Sequence, residues 1–210
     1  ALSGADAANY SANTSATATA DITARALAVS ATGVNKVYDG TTTATITLSD
    51  NRLAGDSLAT SYASATFADK NLGTTKPVAV SGISISGADA ANYSANTTAS
   101  TTANITARSL NITATGANKV YDGTTSATVT LSDDRLAGDS LTTSYTSASF
   151  ATKSVATNKT VSVNGISVTG TDAANYTFNS TASTTANITT RSLSVTATGS
   201  NKVYDGTTTA

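Results

Sequence analysis

The sequence lacks the side chains with which most enzymes and metalloproteins do their chemistry. Among its 210 residues there is no His, Cys, Met or Trp, and also no Glu or Gln, so that every acidic residue is Asp. Without His, the usual general base near neutral pH and the commonest metal ligand are missing. Without Cys, there are no thiolate nucleophiles, disulfides, structural zinc sites or iron–sulfur clusters. We therefore expect that the chain is not an enzyme and holds no cofactor or metal.

Charge and long apolar runs are also scarce, and this limits the partners. The chain has 12 basic and 13 acidic residues, for a net charge of -1. Its basic residues form no cluster that would attract nucleic acid or anionic lipid. No apolar run approaches the roughly 20 residues that a membrane-spanning helix needs. We expect no nucleic-acid partner and no membrane insertion in this segment.

What the sequence does have is internal repetition. The distance from Tyr38 to Tyr121, and from there to Tyr204, is 83 residues. Aligned at that period, the two complete copies are about two-thirds identical. A unit of this length falls in the size range of domains and is longer than the short repeats of solenoids. The sequence therefore predicts tandem modules, like beads on a string, each with its own core.

We place the boundaries between modules after Ala103-Asn104-Ile105-Thr106 and its counterparts. There an Arg precedes the next stretch in which apolar and polar residues alternate. This places complete repeats at 26–108 and 109–191, the end of another repeat at 1–25, and the start of a further one at 192–210. Because repetition fixes the period and not the phase, a circularly shifted boundary is left open.

Within a repeat, apolar residues alternate with polar ones at the period of a β-strand. Ala44, Ile46 and Leu48 alternate with Thr and Ser, the pattern of a half-buried strand. Asp39-Gly40 indicates a tight hairpin turn between two such runs. We count about seven short strands per repeat, a number typical of a sandwich.

A second repeated motif refines the fold class. Asp89-Ala90-Ala91-Asn92-Tyr93, with its copy from Asp172 to Tyr176, resembles the tyrosine corner of immunoglobulin-like domains. In those domains the Tyr hydroxyl bonds back to nearby backbone. We therefore predict an all-β chain of tandem Ig-like β-sandwich modules of about 83 residues. The alternative is a β-grasp-like module in which this stretch forms one turn of helix.

Two sets of residues are candidate sites. Tyr38-Asp39-Gly40 and Tyr121-Asp122-Gly123 could form binding loops, but turn chemistry already explains Asp and Gly, so we favour a turn whose Tyr packs on its own module or on a neighbour. A set of scattered aspartates could bind calcium, namely Asp39, Asp50, Asp56, Asp69 and Asp89. Calcium, however, needs six to eight oxygens close together. We expect these aspartates to serve turns, caps and solvation instead.

The ordered motifs together resemble a known family. Lys-Val-Tyr-Asp-Gly-Thr-Thr, then Arg-Leu-Ala-Gly-Asp, then Asp-Ala-Ala-Asn-Tyr, is similar to the YDG-type repeat of very large bacterial exoproteins of the filamentous-haemagglutinin and adhesin type. The resemblance covers the whole chain. It implies an extracellular or cell-surface protein of a Gram-negative bacterium, in which these modules form a long repetitive region.

Two functions are compatible with such a region. The first is a spacer or stalk that projects a distal binding region, with neighbouring repeats as its partners. The alternative is that each repeat itself binds a host glycan or protein. A binding module should concentrate the differences between copies in one loop cluster, and the copies differ most around 68–75 against 151–158. We favour the spacer and keep the binding module open.

Overall fold

The regular secondary structure is almost entirely β-strand, as a computed structural model that describes residues 1–209 shows. The strands of the first repeat are β1 (Arg25–Leu27), β2 (Val29–Val34), β3 (Lys36–Val37), β4 (Thr45–Asp50), β5 (Ala59–Ser61), β6 (Ser64–Phe67), β7 (Gly73–Ser81), β8 (Ser84–Ser86), β9 (Tyr93–Ala95) and β10 (Thr98–Thr106). Those of the second are β11 (Arg108–Leu110), β12 (Ile112–Gly116), β13 (Lys119–Val120), β14 (Val129–Asp133), β15 (Thr142–Ser144), β16 (Ser147–Phe150), β17 (Ala156–Asn164), β18 (Ser167–Thr169), β19 (Tyr176–Phe178) and β20 (Thr181–Thr189).

The two repeats have the same strand pairing. In the first, β1 pairs parallel with β9, β2 pairs antiparallel with β4, β5 pairs antiparallel with β8, and a four-stranded sheet has the order β3-β10-β7-β6. In the second, the pairs are β11-β19, β12-β14 and β15-β18, and the four-stranded order is β13-β20-β17-β16. The parallel pairs were not predicted from the sequence, because parallel pairing joins segments that are far apart in the chain.

The core is formed by every second residue of these strands. In the first repeat the buried aliphatic side chains include Leu27, Val29, Ile46, Val78, Val80 and Ile105. The corresponding positions of the second repeat are also buried, namely Leu110, Ile112, Val129, Val161, Val163 and Ile188. Alternation of this kind places one face of each strand in the core and the other in water. The prediction of tandem all-β modules is confirmed.

The only helical segments among residues 1–209 are three single 3-10 turns, Ala7–Asn9, Ala90–Asn92 and Ala173–Asn175. Each lies in a copy of the Asp-Ala-Ala-Asn-Tyr motif, directly before its Tyr. No helix within the described residues is long and apolar enough to cross a membrane.

The chain divides into two compact units whose residues are not the same as those of the predicted repeats. The first unit comprises 1–34, 43–68 and 77–102, and the second comprises 35–42, 69–76 and 103–210. Fully independent beads would keep 35–42 and 69–76 with the rest of the repeat 26–108. These two segments of the predicted repeat 26–108 pack instead with the following repeat.

Candidate functional site

The Tyr-Asp-Gly segment of the first repeat forms a tight turn that its own side chains hold. The Asp39 carboxylate accepts the backbone N–H of Thr41 at 2.9 Å and the ammonium of Lys36 at 2.8 Å. Although burial raises the pKa of Asp39, the bonds from Lys36 and Thr41 outweigh it and hold that pKa below its usual value. Gly40 has a φ of 77°, which favours glycine. Lys119, Asp122 and Thr124 repeat these bonds.

This turn does not close a β-hairpin. The strand before it, β3, pairs parallel with β10, whereas β4 after it pairs with β2. The turn therefore carries the chain from one sheet to another. The prediction of a turn at Asp39-Gly40 agrees with the structure, but the prediction of a hairpin is wrong, because both flanking strands have their partners elsewhere.

Tyr38 is fully enclosed in the second compact unit. Its side chain is 1% exposed, and its hydroxyl donates to Asp139 Oδ1 at 3.0 Å. The ring meets the ring of Tyr176 edge-on, with centroids 5.5 Å apart and an interplanar angle of 74°, a favourable arrangement for two aromatic rings. The same motif position is half-buried at Tyr121 and 93% exposed at Tyr204. Burial of this Tyr thus differs from one copy to the next.

Lys70 links two aspartates in the same unit. Its ammonium lies 2.9 Å from Asp139 Oδ1 and 2.8 Å from Asp172 Oδ1, and 5.7 Å from the centre of the Tyr38 ring, within cation–π range. Hydrogen bonds to Asp172, Tyr38 and Asp139 raise the pKa of Lys70, and the bond from Lys70 is the main cause that lowers the pKa of Asp172. Lysine and aspartates are therefore all charged at neutral pH. We call Tyr38, Lys70, Asp139, Asp172 and Tyr176 the clasp.

The second repeat holds the other carboxylate oxygens with its own groups. Tyr176 accepts the backbone N–H of Leu136 at 3.0 Å and donates its hydroxyl to Asp139 Oδ2 at 2.6 Å. Burial, followed by the bond to Asp139, raises the pKa of Tyr176 to about 12. Asp172 Oδ2 accepts the backbone N–H of Ser140 at 3.0 Å. On each aspartate, Oδ2 is fixed within the repeat and Oδ1 faces the incoming segments.

A buried asparagine completes this arrangement. Asn175 is 2% exposed, and its Oδ1 accepts the backbone N–H of Leu72 at 2.8 Å. Its amide nitrogen donates to Asn71 Oδ1 at 3.3 Å. Asn71 and Leu72 lie in the stretch where the two copies differ most. That stretch therefore has packing partners within the second unit.

The first unit contains the same framework around Tyr93. Tyr93 accepts the backbone N–H of Leu53 at 3.0 Å and donates to the Asp56 carboxylate, while Asp89 accepts the N–H of Ser57 at 2.8 Å. The Tyr hydroxyl reaches a backbone amide, but that amide lies 40 residues upstream. In the tyrosine corner of immunoglobulin-like domains the partner lies only a few residues upstream. The motif thus joins distant segments.

The other aspartates that were weighed as calcium ligands have separate partners. Asp39 pairs with Lys36, Asp50 with Arg52 and Asp69 with Lys76. Over residues 1–209, no group of three or more acidic side chains lies close enough together to hold a metal ion. Turn formation and ion pairing account for these side chains.

Sequence reasoning singled out Tyr38, Asp172 and Tyr176 but missed Lys70, Asp139 and Asn175. A signal for Lys70 did exist, because Lys153 keeps it in a stretch where most neighbours differ. Asp139 belongs to the repeated Arg-Leu-Ala-Gly-Asp motif, which carried the family resemblance, but Asp139 itself was not considered as a site residue. The contacts of these residues span about 70 to 100 positions, and no local pattern predicts such pairs.

Comparison with known proteins identifies the repeats. The YDG domain family matches the chain twice in tandem, over residues 23–103 and 106–186. No curated protein and no solved structure matches the chain. The two matches start and end within five residues of the bounds 26–108 and 109–191 that were placed at the Arg residues. With two successive repeats matched over most of its length, this chain belongs to the YDG domain family.

Proposed function

We propose that this chain is part of the repetitive spacer of a bacterial adhesin of the filamentous-haemagglutinin type, at the cell surface or secreted. In this role the repeats hold a distal binding region away from the cell, and they have no catalytic activity. The proposal joins the resemblance of the motifs to such exoproteins with the tandem YDG repeats.

The observation that carries the proposal is the insertion of Tyr38 and Lys70 into the second compact unit. Both residues belong to the first repeat by sequence, yet their polar partners Asp139 and Asp172 lie in the second. Relative motion is the default for domains joined by small polar interfaces. A buried ring and a doubly paired ammonium restrict that motion, which is the property that a spacer needs.

The alternative, a repeat that binds a host glycan or protein, depended mainly on the variable stretch. In the structure Lys70 and Leu72 of that stretch contact Asp172 and Asn175. Part of the variable stretch is therefore engaged by the following repeat rather than free to bind a ligand. This supports the spacer over the binding module.

The experiment varies the number of repeats in the full-length protein on the cell. An epitope tag at the distal end is located by electron microscopy after one whole 83-residue repeat is removed or added. We expect the tag to move by about 3 nm per repeat, the diameter of a domain of this size. To test the alternative function, the purified 210-residue chain is applied to a host glycan array, to which we expect no binding. An unchanged tag position, or tight glycan binding by the chain, would favour the alternative.

A further inference from the structure

The first unit has an open pocket at the place where the second unit receives Tyr38 and Lys70. The pocket has a volume of about 370 Å³, and Leu53, Asp56, Asn92 and Tyr93 contribute to its lining. The counterparts of these residues, 83 positions further along, are Leu136, Asp139, Asn175 and Tyr176. We call the pocket, together with the neighbouring Asp89, the first-repeat socket.

The counterpart of this socket is filled in the same molecule. Asp139 Oδ1 accepts the hydroxyl of Tyr38 at 3.0 Å and the ammonium of Lys70 at 2.9 Å. Asn175 accepts the backbone N–H of Leu72. One repeat therefore already shows which chemistry this set of side chains binds: a phenol, an ammonium group and one backbone N–H.

The first-repeat socket has the same donors and acceptors in place. Asp56 Oδ2 accepts from Tyr93, and Asp89 Oδ2 accepts from Ser57, as their counterparts do in the second repeat. The Oδ1 atoms of both aspartates accept no hydrogen bond from the described residues, although the Oδ1 atoms of the filled counterpart hold Tyr38 and Lys70.

Residues of the open socket are more exposed than their counterparts in the filled one. Leu53 is exposed, at 50%, whereas Leu136 is partly buried, and Asn92 is exposed whereas Asn175 is only 2% exposed. In the filled counterpart, the ammonium of Lys70 pairs with both Asp139 and Asp172 and offsets their charge. The socket thus has both the shape and the charge for a Tyr and a Lys from another repeat.

We propose that the first-repeat socket binds the Tyr-Asp-Gly turn and the lysine loop of the YDG repeat that precedes it in a longer array. The Tyr hydroxyl donates to Asp56 Oδ1, and the Lys ammonium bridges Asp56 and Asp89. In the second repeat, Tyr121 is half-buried and Lys153 is exposed, and they are the groups that a following repeat receives. Docking then has one direction, each repeat inserting into the next. The inference deepens the proposed spacer function. It rests on that proposal only because it requires a longer tandem array of repeats.

The test compares the 210-residue chain with a longer chain in which a copy of 26–108 replaces 1–25, so that the period of 83 residues is kept. In each chain, denaturant unfolding compares Asp89→Asn with its matched control Asp172→Asn. In the longer chain, Asp89→Asn is made in the second of the two 26–108 copies, which is the one that has a repeat before it. Asn keeps an acceptor for the N–H of Ser57 or Ser140 and removes only the charge. We expect Asp172→Asn to lower the unfolding midpoint in both chains, and Asp89→Asn to lower it clearly only in the longer one.

Amide hydrogen exchange of the unsubstituted chains gives the second readout, which needs no variant to fold. We expect the amides of Leu53 and Ser57 to exchange more slowly in the longer chain, and at a rate independent of protein concentration in the shorter one. An equal effect of Asp89→Asn in both chains, or unchanged exchange on lengthening, would overturn the proposal. Slower exchange at higher concentration of the shorter chain would assign the socket to a second copy instead. The position of a tag on the cell surface is measured separately, so that failure here leaves the spacer function to its own test.

Discussion

The hydroxyl of Tyr38 donates a hydrogen bond to Asp139, 101 residues further along the chain, at 3.0 Å. The donor is the tyrosine of one Tyr-Asp-Gly turn, and the acceptor ends the Arg-Leu-Ala-Gly-Asp motif of the next repeat. Two motifs that look like separate turns in the sequence are thus two halves of one contact. The contact explains why each repeat carries both of them.

We predict that Tyr38→Phe destabilises the second unit by about 1–2 kcal/mol, because the substitution removes a hydrogen bond to a carboxylate while it keeps the packed ring. The matched control is Tyr121→Phe, at the same motif position but only half-buried. Denaturant unfolding of the 210-residue chain measures both. Equal effects of the two substitutions would show that the hydroxyl of Tyr38 contributes nothing special.

We predict that Lys70→Met lowers the stability more than Lys153→Met does. Lys70 neutralises two aspartates whose side chains are 3% and 12% exposed, whereas Lys153 is exposed. Removal of one partner from a largely buried pair leaves charge uncompensated, and since Lys70 is a third exposed we expect a cost of about 1–3 kcal/mol. Thermal melts of both variants at neutral pH are the measurement, and equal melting temperatures would contradict the prediction.

How much of this was predictable depends on the range of the interactions. Alternation at Ala44 and Ile46 predicted a strand with one buried face, because the period of a strand is local. Gly40 and its Asp predicted a turn for the same reason. The parallel pair β3-β10 and the bond from Lys70 to Asp172 join segments about 70 to 100 residues apart. The sequence around each of these segments does not indicate its distant partner. Only the three-dimensional structure shows that they are in contact.

We predict that stability changes little between about pH 5 and pH 9 and falls at lower pH. Although burial raises the pKa of Asp139, hydrogen bonds from Tyr176, Lys70 and Tyr38 together lower it below its usual value, and Lys70 lowers the pKa of Asp172. The stability from these aspartates is present above their unfolded pKa of about 3.9 and is lost as the pH falls through the folded values. The raised pKa of Lys70 has the opposite sign, and its contribution is lost only above about pH 10.

The Lys70→Met variant tests this pH dependence. Without the ammonium group, the carboxylates of Asp139 and Asp172 repel each other, and this repulsion is relieved when one of them binds a proton. The difference in melting temperature between the unmodified chain and the variant should therefore be greatest near pH 7 and shrink below about pH 4. A difference that is the same from pH 3 to pH 8 would contradict the ion pairs.

We predict that Tyr93→Phe destabilises the first unit by about 1–2 kcal/mol, because the N–H of Leu53 loses its acceptor and Asp56 loses a donor. Tyr10 occupies the same motif position in the preceding copy and is 73% exposed, so that Tyr10→Phe serves as the control and should be neutral. Urea unfolding of both variants gives the comparison. If Tyr93→Phe unfolded at the same urea concentration as the control, the distant Tyr–amide bond would be without effect.

The most direct test of the clasp is a comparison of two amides in the unmodified 210-residue chain. The N–H groups of Leu53 and Leu136 each donate to a Tyr hydroxyl at 3.0 Å, but only Leu136 lies beside the inserted Tyr38 and Lys70. Native-state hydrogen exchange by NMR measures the free energy of local opening at each amide. If the insertion couples the repeats, Leu136 should exchange about tenfold more slowly than Leu53, a difference of about 1.4 kcal/mol, and Lys70→Met should reduce that difference. Equal exchange rates at the two amides would contradict the coupling of successive repeats.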